Sequence, residues 1–201
     1  MNALLTEPIT RTPPPRVKQE TGPGHFRFTR EQYYRLGELN FFERTRVERL
    51  HGEIVVMSPM NWPHSVSVGL VMDALIPIFA GIGWPNVQSP LETDDSDPEP
   101  DFAIYRGRRR DYKNHPAGAD TLLIVEVAVT SLVGDSSHKA DLYAAAGIAD
   151  YWVVDVENRR LLVFREPSPA GYLSKQSLGH TENISPLAVP SASIRVADLL
   201  P

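Results

Sequence analysis

The sequence predicts an α/β (α+β) domain in which a mixed central β-sheet carries helices on its faces. Two observations predict it. Strand-like and helix-like hydropathy patterns alternate along the chain instead of falling into separate blocks, as they do when a sheet is layered with helices. The most apolar run, residues 122–129, is short and rich in β-branched side chains, which suits a buried strand. At 201 residues and 42% hydrophobic content, the chain can build one domain with a substantial core.

Taken in order, residues 1–25 hold Pro8, Pro13, Pro14, Pro15 and Pro23 with few large apolar side chains. Such a composition reads as a disordered tail and leaves residues 26–201 as the single domain. Thr29 is placed to cap a helix carrying Tyr33, Tyr34 and Leu36, and helical signal continues unevenly to Leu50. His51-Gly52 reads as a turn into a β-branched strand that stops at Pro59. From Pro63 to Ile82 a helix is expected, with Val66, Leu70, Ala74 and Ile78 on its core face and a kink at Pro77. An acidic loop, residues 93–99, feeds a strand at 102–105, and a basic loop with Gly107 and Gly118 leads to the apolar strand. A helix from Asp135 closes at Gly147, the residue suited to the position just past a helix end. Residues 151–156 and 161–164 flank a hairpin turn, and a strand near Tyr172 and a segment at 196–200 complete the chain.

Composition excludes several classes of function. With 20 basic against 25 acidic residues and a net charge of −5, nothing global marks a polyanion binder, so any nucleic-acid contact needs a local basic patch. The absence of cysteine removes disulfides, thiolate zinc sites and thiol nucleophiles. No apolar stretch approaches the roughly 18 residues a membrane span requires and no secretory leader pattern is seen, so the expectation is a soluble, cytoplasmic protein with no membrane partner. A His-Glu-x-x-His pair and a Gly-rich phosphate loop are both missing, which removes zinc hydrolases and nucleotide-binding folds. A calcium loop starting at Asp95 fails because Pro100 and Arg106 stand where Gly and Glu are needed.

Chemistry points to three residues. Glu126 lies in the middle of the apolar strand, and a buried carboxylate without a partner or a metal costs several kcal/mol. Asp101 opens the preceding strand after Pro100. Two carboxylates at the ends of neighbouring strands can share a hard cation such as Mg2+, and an ammonium nearby can orient a water or neutralise a phosphoryl group. Lys139, on the next helix, is within reach of that role. Plainer readings stand beside these: Glu126 as half of a buried ion pair, Asp101 as turn chemistry, and Asp135 with Lys139 as a helical pair worth about 0.3 kcal/mol.

Pro100-Asp101, Val125-Glu126-Val127, Lys139, Leu142-Tyr143-Ala144-Ala145-Ala146-Gly147-Ile148 and Asp150-Tyr151-Trp152-Val153-Val154-Asp155 together resemble the Uma-type restriction-endonuclease-like family of the PD-(D/E)XK nuclease superfamily. Val47-Glu48-Arg49-Leu50-His51-Gly52-Glu53-Ile54-Val55, Met57-Ser58-Pro59 and His64 resemble its opening block, so the similarity runs over residues 29–164. The resemblance implies a restriction-endonuclease-like mixed sheet flanked by helices, and a Mg2+- or Mn2+-dependent DNA endonuclease acting as a homodimer. It implies Asp101, Glu126 and the backbone carbonyl of Val127 as metal ligands and Lys139 as the catalytic lysine. Glu48 becomes an auxiliary acid from the first helical region, and His64 a histidine near the site. The superfamily's usual lysine position holds Ala128, which is why Lys139 takes the role; His51 stands where relatives often have Asp, and Val129-Thr130 replace a polar pair.

Glu48 sits among Arg44, Arg46 and Arg49, so a surface salt-bridge cluster accounts for it equally well, and His64 can simply begin a helix after Pro63. Arg106, Arg108, Arg109 and Arg110 form the densest basic run and read either as a solvated loop or as a DNA-backbone clamp beside the metal site. The alternative function is the same fold without catalysis, used as a DNA-binding or protein-interaction module.

Overall fold

Arg30–Glu38 form helix α1 because Thr29 and Gln32 close a capping box: the Thr29 hydroxyl accepts the Gln32 N–H at 3.2 Å, and the Gln32 side chain accepts the Thr29 N–H at 2.9 Å. The computed structural model describes residues 24–129 and 132–201, with the side chains of 132–138 outside the description. The tail expected over residues 1–25 therefore lies, up to residue 23, outside the described residues, as do Thr130 and the Asp135 side chain.

The helical signal does not run on to Leu50. Asn40 and Arg44 take positive φ, 56° and 61°, which no helix tolerates, and Val47–Leu50 is strand β1. It pairs antiparallel with β2, Glu53–Val56, across the two-residue turn His51-Gly52. Both turn residues have positive φ, 50° and 77°, the twist a two-residue hairpin demands.

Helix α2, Trp62–Ile78, begins where the Asn61 side chain accepts the His64 N–H at 3.1 Å, with Pro63 in the first turn. Its buried face is Ser67, Val68, Val71 and Leu75, continued by Phe79, rather than the expected series Val66, Leu70, Ala74 and Ile78. The buried series runs one position later than the expected one, through 67, 71, 75 and 79 with Val68 beside it, and of the expected residues Ala74 and Ile78 pack partly against the core. Pro77 stands in the last turn of the helix, which ends one residue later.

The main sheet has six strands in the order β3-β4-β5-β6-β7-β8. They are β3 Gly83–Asn86, β4 Phe102–Arg106, β5 Thr121–Ala128, β6 Asp150–Asp155, β7 Arg160–Ser168 and β8 Gly171–Gly179. All neighbours are antiparallel except β5 and β6, whose parallel pairing needs the crossover helix α3, Leu132–Ala145. Helix α3 ends as expected at Gly147, φ 75°, with Gly147 N–H donating to Ala144 O and Ile148 N–H to Tyr143 O, both at 3.0 Å. β3 was not expected from its sequence, Gly-Trp-Pro-Asn; as an edge strand it loses no ladder bond to Pro85.

Alternation along the strands divides the core in two. Phe102, Ile104, Leu123 and Val125 face α2 and a C-terminal ribbon, β9 Asn183–Ile184 with β10 Ile194–Arg195, followed by a 3-10 turn, Val196–Leu199. Ala103, Tyr105, Ile124, Tyr151 and Val153 face α3. Each fully buried Leu, Ile or Phe on these faces contributes about 1.5–3 kcal/mol. Glu126, two residues after Ile124, belongs to the α3 face, and that parity decides what it meets.

Candidate active site

A cleft of about 760 Å³ opens between the β1–β2 hairpin, the start of α2 and the adjoining ends of β4 and β5. Glu48, His64, Asp101, Glu126, Val127 and Lys139 all line it, so the six residues expected to act in catalysis or metal binding come together in one place. The register explains the central pair. Phe102 is paired with Val125 in antiparallel strands, so the residue before the one, Asp101, lies across from the residue after the other, Glu126. Asp101 Oδ2 accepts the Val127 N–H at 2.9 Å, and the Asp101 N–H reaches Glu126 Oε2 at 3.4 Å.

Three further side chains close on this pair. His64, three residues past the helix cap, places Nε2 3.0 Å from Asp101 Oδ2. Lys139 Nζ donates to Glu126 Oε1 at 3.1 Å and to Glu48 Oε1 at 3.2 Å. Tyr143, one turn further along the same face of α3, donates its hydroxyl to Glu126 Oε1 at 2.7 Å. Glu48 is wholly buried and sits on strand β1, a correction to the helical origin expected for it. Its Oε1 also accepts the Glu99 N–H at 2.9 Å, and it is no member of a surface cluster.

Its neighbour on the strand, Arg49, points the other way, as strand alternation requires. Arg49 Nε and Arg30 Nε donate to the two oxygens of buried Asp97, each at 2.7 Å, and the Asp97 N–H donates to Arg49 O at 2.7 Å. That second cluster ties β1 to the acidic loop and so fixes where Glu48 stands.

The electrostatics of the cleft are unbalanced. Burial alone would lower the Lys139 ammonium, but Glu126, Glu48 and Asp101 outweigh it and hold the group charged well beyond its ordinary range. Burial pushes the Glu126 carboxyl up to about 8 despite Lys139, with the charges of Asp101 and Glu48 adding to the rise. Asp101 is also penalised by burial, yet the hydrogen bond and charge of His64 and the Val127 N–H keep it below the usual carboxylate range. Glu48 and Glu126 thus share the Lys139 ammonium while His64 serves Asp101, and the unfavourable balance falls on Glu126. Among the described residues, Glu48 Oε2 and His64 Nδ1 are buried with no hydrogen-bond partner.

These features fit a hard divalent cation. Three acids, Glu48, Asp101 and Glu126, bring carboxylate oxygens to one cleft, and one buried oxygen, Glu48 Oε2, lacks a partner. Among the described residues no group of three or more His, Asp or Glu side chains is placed to hold a metal ion by itself. The two acids, the Val127 carbonyl and water would supply the rest, and Mg2+ ordinarily keeps several waters.

The basic run is not part of this cleft. Arg106, Arg108, Arg109 and Arg110 follow the far end of β4, about 17 Å along the strand from Asp101 on extended-chain geometry, and none lines the cleft. Arg109 instead stacks its guanidinium 4.6 Å from the Trp84 ring centre. The arginines at the cleft are Arg27 and Arg46, the latter 3.1 Å from Glu99. Sequence reasoning missed Tyr143 and these two; the i,i+4 spacing of Lys139 and Tyr143 was the available signal.

The family model Uma2, described as "Putative restriction endonuclease", matches residues 30–197. A crystal structure titled as that of "a putative nuclease belonging to DUF820" from Anabaena variabilis aligns with a TM-score of 0.69 at 12% identity, covering 84% of this chain and 95% of that one. At that identity the likeness bears on fold, and the fold is the restriction-endonuclease-like mixed sheet predicted from the sequence. No curated protein matches the chain.

Proposed function

This chain belongs to the Uma2 family, and from that premise we propose that it is a metal-dependent DNA endonuclease of the PD-(D/E)XK type, hydrolysing phosphodiester bonds. The observation that carries the reading is the cluster of acids around Lys139: a buried lysine bonded to Glu126 and Glu48, with Asp101 beside Glu126, at a cleft open to a substrate. A purely structural ion pair has no need of the surplus acids.

Asp101, Glu126 and the Val127 carbonyl would hold Mg2+ or Mn2+. When bound, such an ion supplies a Lewis acid for a phosphoryl oxygen and lowers the pKa of a coordinated water. The remaining work belongs to the chain itself. Lys139, kept charged by its acids, cannot accept a proton; its ammonium donates hydrogen bonds to the water or the phosphoryl oxygen and offsets charge that develops there. Glu48 anchors that ammonium from the opposite side. His64 holds Asp101 through one oxygen. Arg27 and Arg46, at the cleft wall, meet the phosphates flanking the scissile one, and the remote run from Arg106 to Arg110 adds a nonspecific contact to longer DNA.

Residues 26–201 act in this reading as one domain in the cytoplasm, and cutting both strands of a duplex is served by a homodimer with two-fold symmetry. No helix among the described residues is long and apolar enough to cross a membrane. The test is a plasmid-cleavage assay with Mg2+ and with Mn2+. Cleavage that disappears with a chelator and in Glu126→Ala supports the reading; cleavage equal in wild type and Glu126→Ala removes it.

A further inference from the structure

Glu126 has two oxygens in different circumstances. Oε1 accepts both the Lys139 ammonium at 3.1 Å and the Tyr143 hydroxyl at 2.7 Å. Oε2, among the described residues, meets only the Asp101 N–H at 3.4 Å, beyond the usual hydrogen-bond range. Tyr143 is fully buried, its ring edge-on to Tyr151 with centroids 5.0 Å apart, so the hydroxyl has one fixed direction. Lys139 is shared with Glu48 and by itself leaves the Glu126 carboxylate free to rotate about its own axis. The second donor removes that freedom.

We propose that Tyr143 is a positioning residue for the cation site: with Lys139 it saturates Glu126 Oε1 and so turns Oε2 toward Asp101 as the oxygen that binds the ion. This rests on the metal-dependent reading above and adds to it the residue that sorts the two oxygens. Outer hydrogen bonds to a ligating carboxylate govern metal affinity through orientation, and their loss typically weakens binding by about 10- to 100-fold. Tyr143 touches no substrate and carries no step of the reaction.

The test is calorimetric titration of the purified full chain with Mn2+ and Mg2+, comparing wild type, Tyr143→Phe and Tyr172→Phe. Phenylalanine keeps the ring and its packing on Tyr151. Tyr172, whose hydroxyl donates to Ile148 O at 2.8 Å in the same aromatic cluster, controls for the loss of a buried hydrogen bond away from Glu126. The expected result is affinity at least about 10-fold weaker in Tyr143→Phe, with Tyr172→Phe matching wild type. Equal affinity in wild type and Tyr143→Phe overturns the proposal while leaving the metal site standing. A wild-type chain that takes up neither ion overturns both. A Tyr143→Phe chain that fails to fold also overturns it, because the hydroxyl would then be a requirement of the fold and not of the site.

Discussion

Two buried charged clusters lie on opposite sides of strand β1, and adjacent residues feed them. Arg49 enters one, where buried Asp97 meets the Arg49 and Arg30 guanidinium groups at 2.7 Å and a backbone bond, and Glu92, 3.8 Å from Arg30, is the second acid. Glu48 enters the other, where Glu48 and Glu126 share one ammonium, Asp101 is held by His64, and a buried Glu48 oxygen has no partner. The first cluster is complete as it stands. The second leaves a buried carboxylate oxygen unsatisfied. Burial of charge, then, does not by itself mark a functional site; imbalance and an unsatisfied atom do.

The sharpest way to break this contrast is to remove one member of each cluster and read two quantities. Lys139→Ala should lower cleavage by about three orders of magnitude, the upper range for losing one preorganised donor to a developing charge. Plasmid nicking under single-turnover conditions measures it, and circular dichroism checks that the chain still folds. Asp97→Ala should instead act on stability, costing about 3–5 kcal/mol because Arg49 is left buried without its acid. Urea unfolding reads that loss, and a large fall in cleavage with unchanged stability would refute the assignment of Asp97 as structural.

A smaller effect concerns pH. The Glu126 carboxyl is raised from 4.5 to about 8 in the folded, metal-free chain, so between those values the unfolded chain has released a proton that the folded chain retains. The contribution is full below about 4.5 and is lost as pH rises toward 8; metal-free stability should fall across that window, and Glu126→Gln should flatten the fall. Binding of a cation requires the deprotonated acid, so Mn2+ affinity should climb with pH up to about 8 and then level off. The smallest effect expected is at the helix that presents His64: Asn61→Ala removes its cap and should cost about 1 kcal/mol, with the midpoint of unfolding as the measure.

Much of this site was legible in the sequence, and what was not has physical reasons. Asp101 and Glu126 stand out because a carboxylate in an apolar strand is costly enough to need explaining, and the Lys139 helix follows from the parallel crossover between β5 and β6. Glu48 was legible as a residue but not as a buried one. Its neighbours Arg44, Arg46 and Arg49 suggest a charged surface, and only the Asp97 cluster, contributed from far along the chain, lets Arg49 be buried. Tyr143 reads as ordinary core in an alanine-rich helix; its hydroxyl matters only because strand parity turns Glu126 toward it. The arginine run was placed beside the site because it follows Asp101 in sequence, yet a strand moves the chain about 3.4 Å per residue and carries the run to the opposite end of β4. Strand β3 lacks β-branched residues and contains proline, so only its edge position admits it.

The claim at the centre is that the second cluster awaits a divalent cation. Its most direct test is Mg2+ titration by calorimetry near pH 8, with wild type beside the Asp101→Asn and Glu126→Gln chains. Saturable uptake by wild type that is lost in both variants is the predicted result. Uptake that persists in both, or no uptake by a folded wild-type chain, would contradict it.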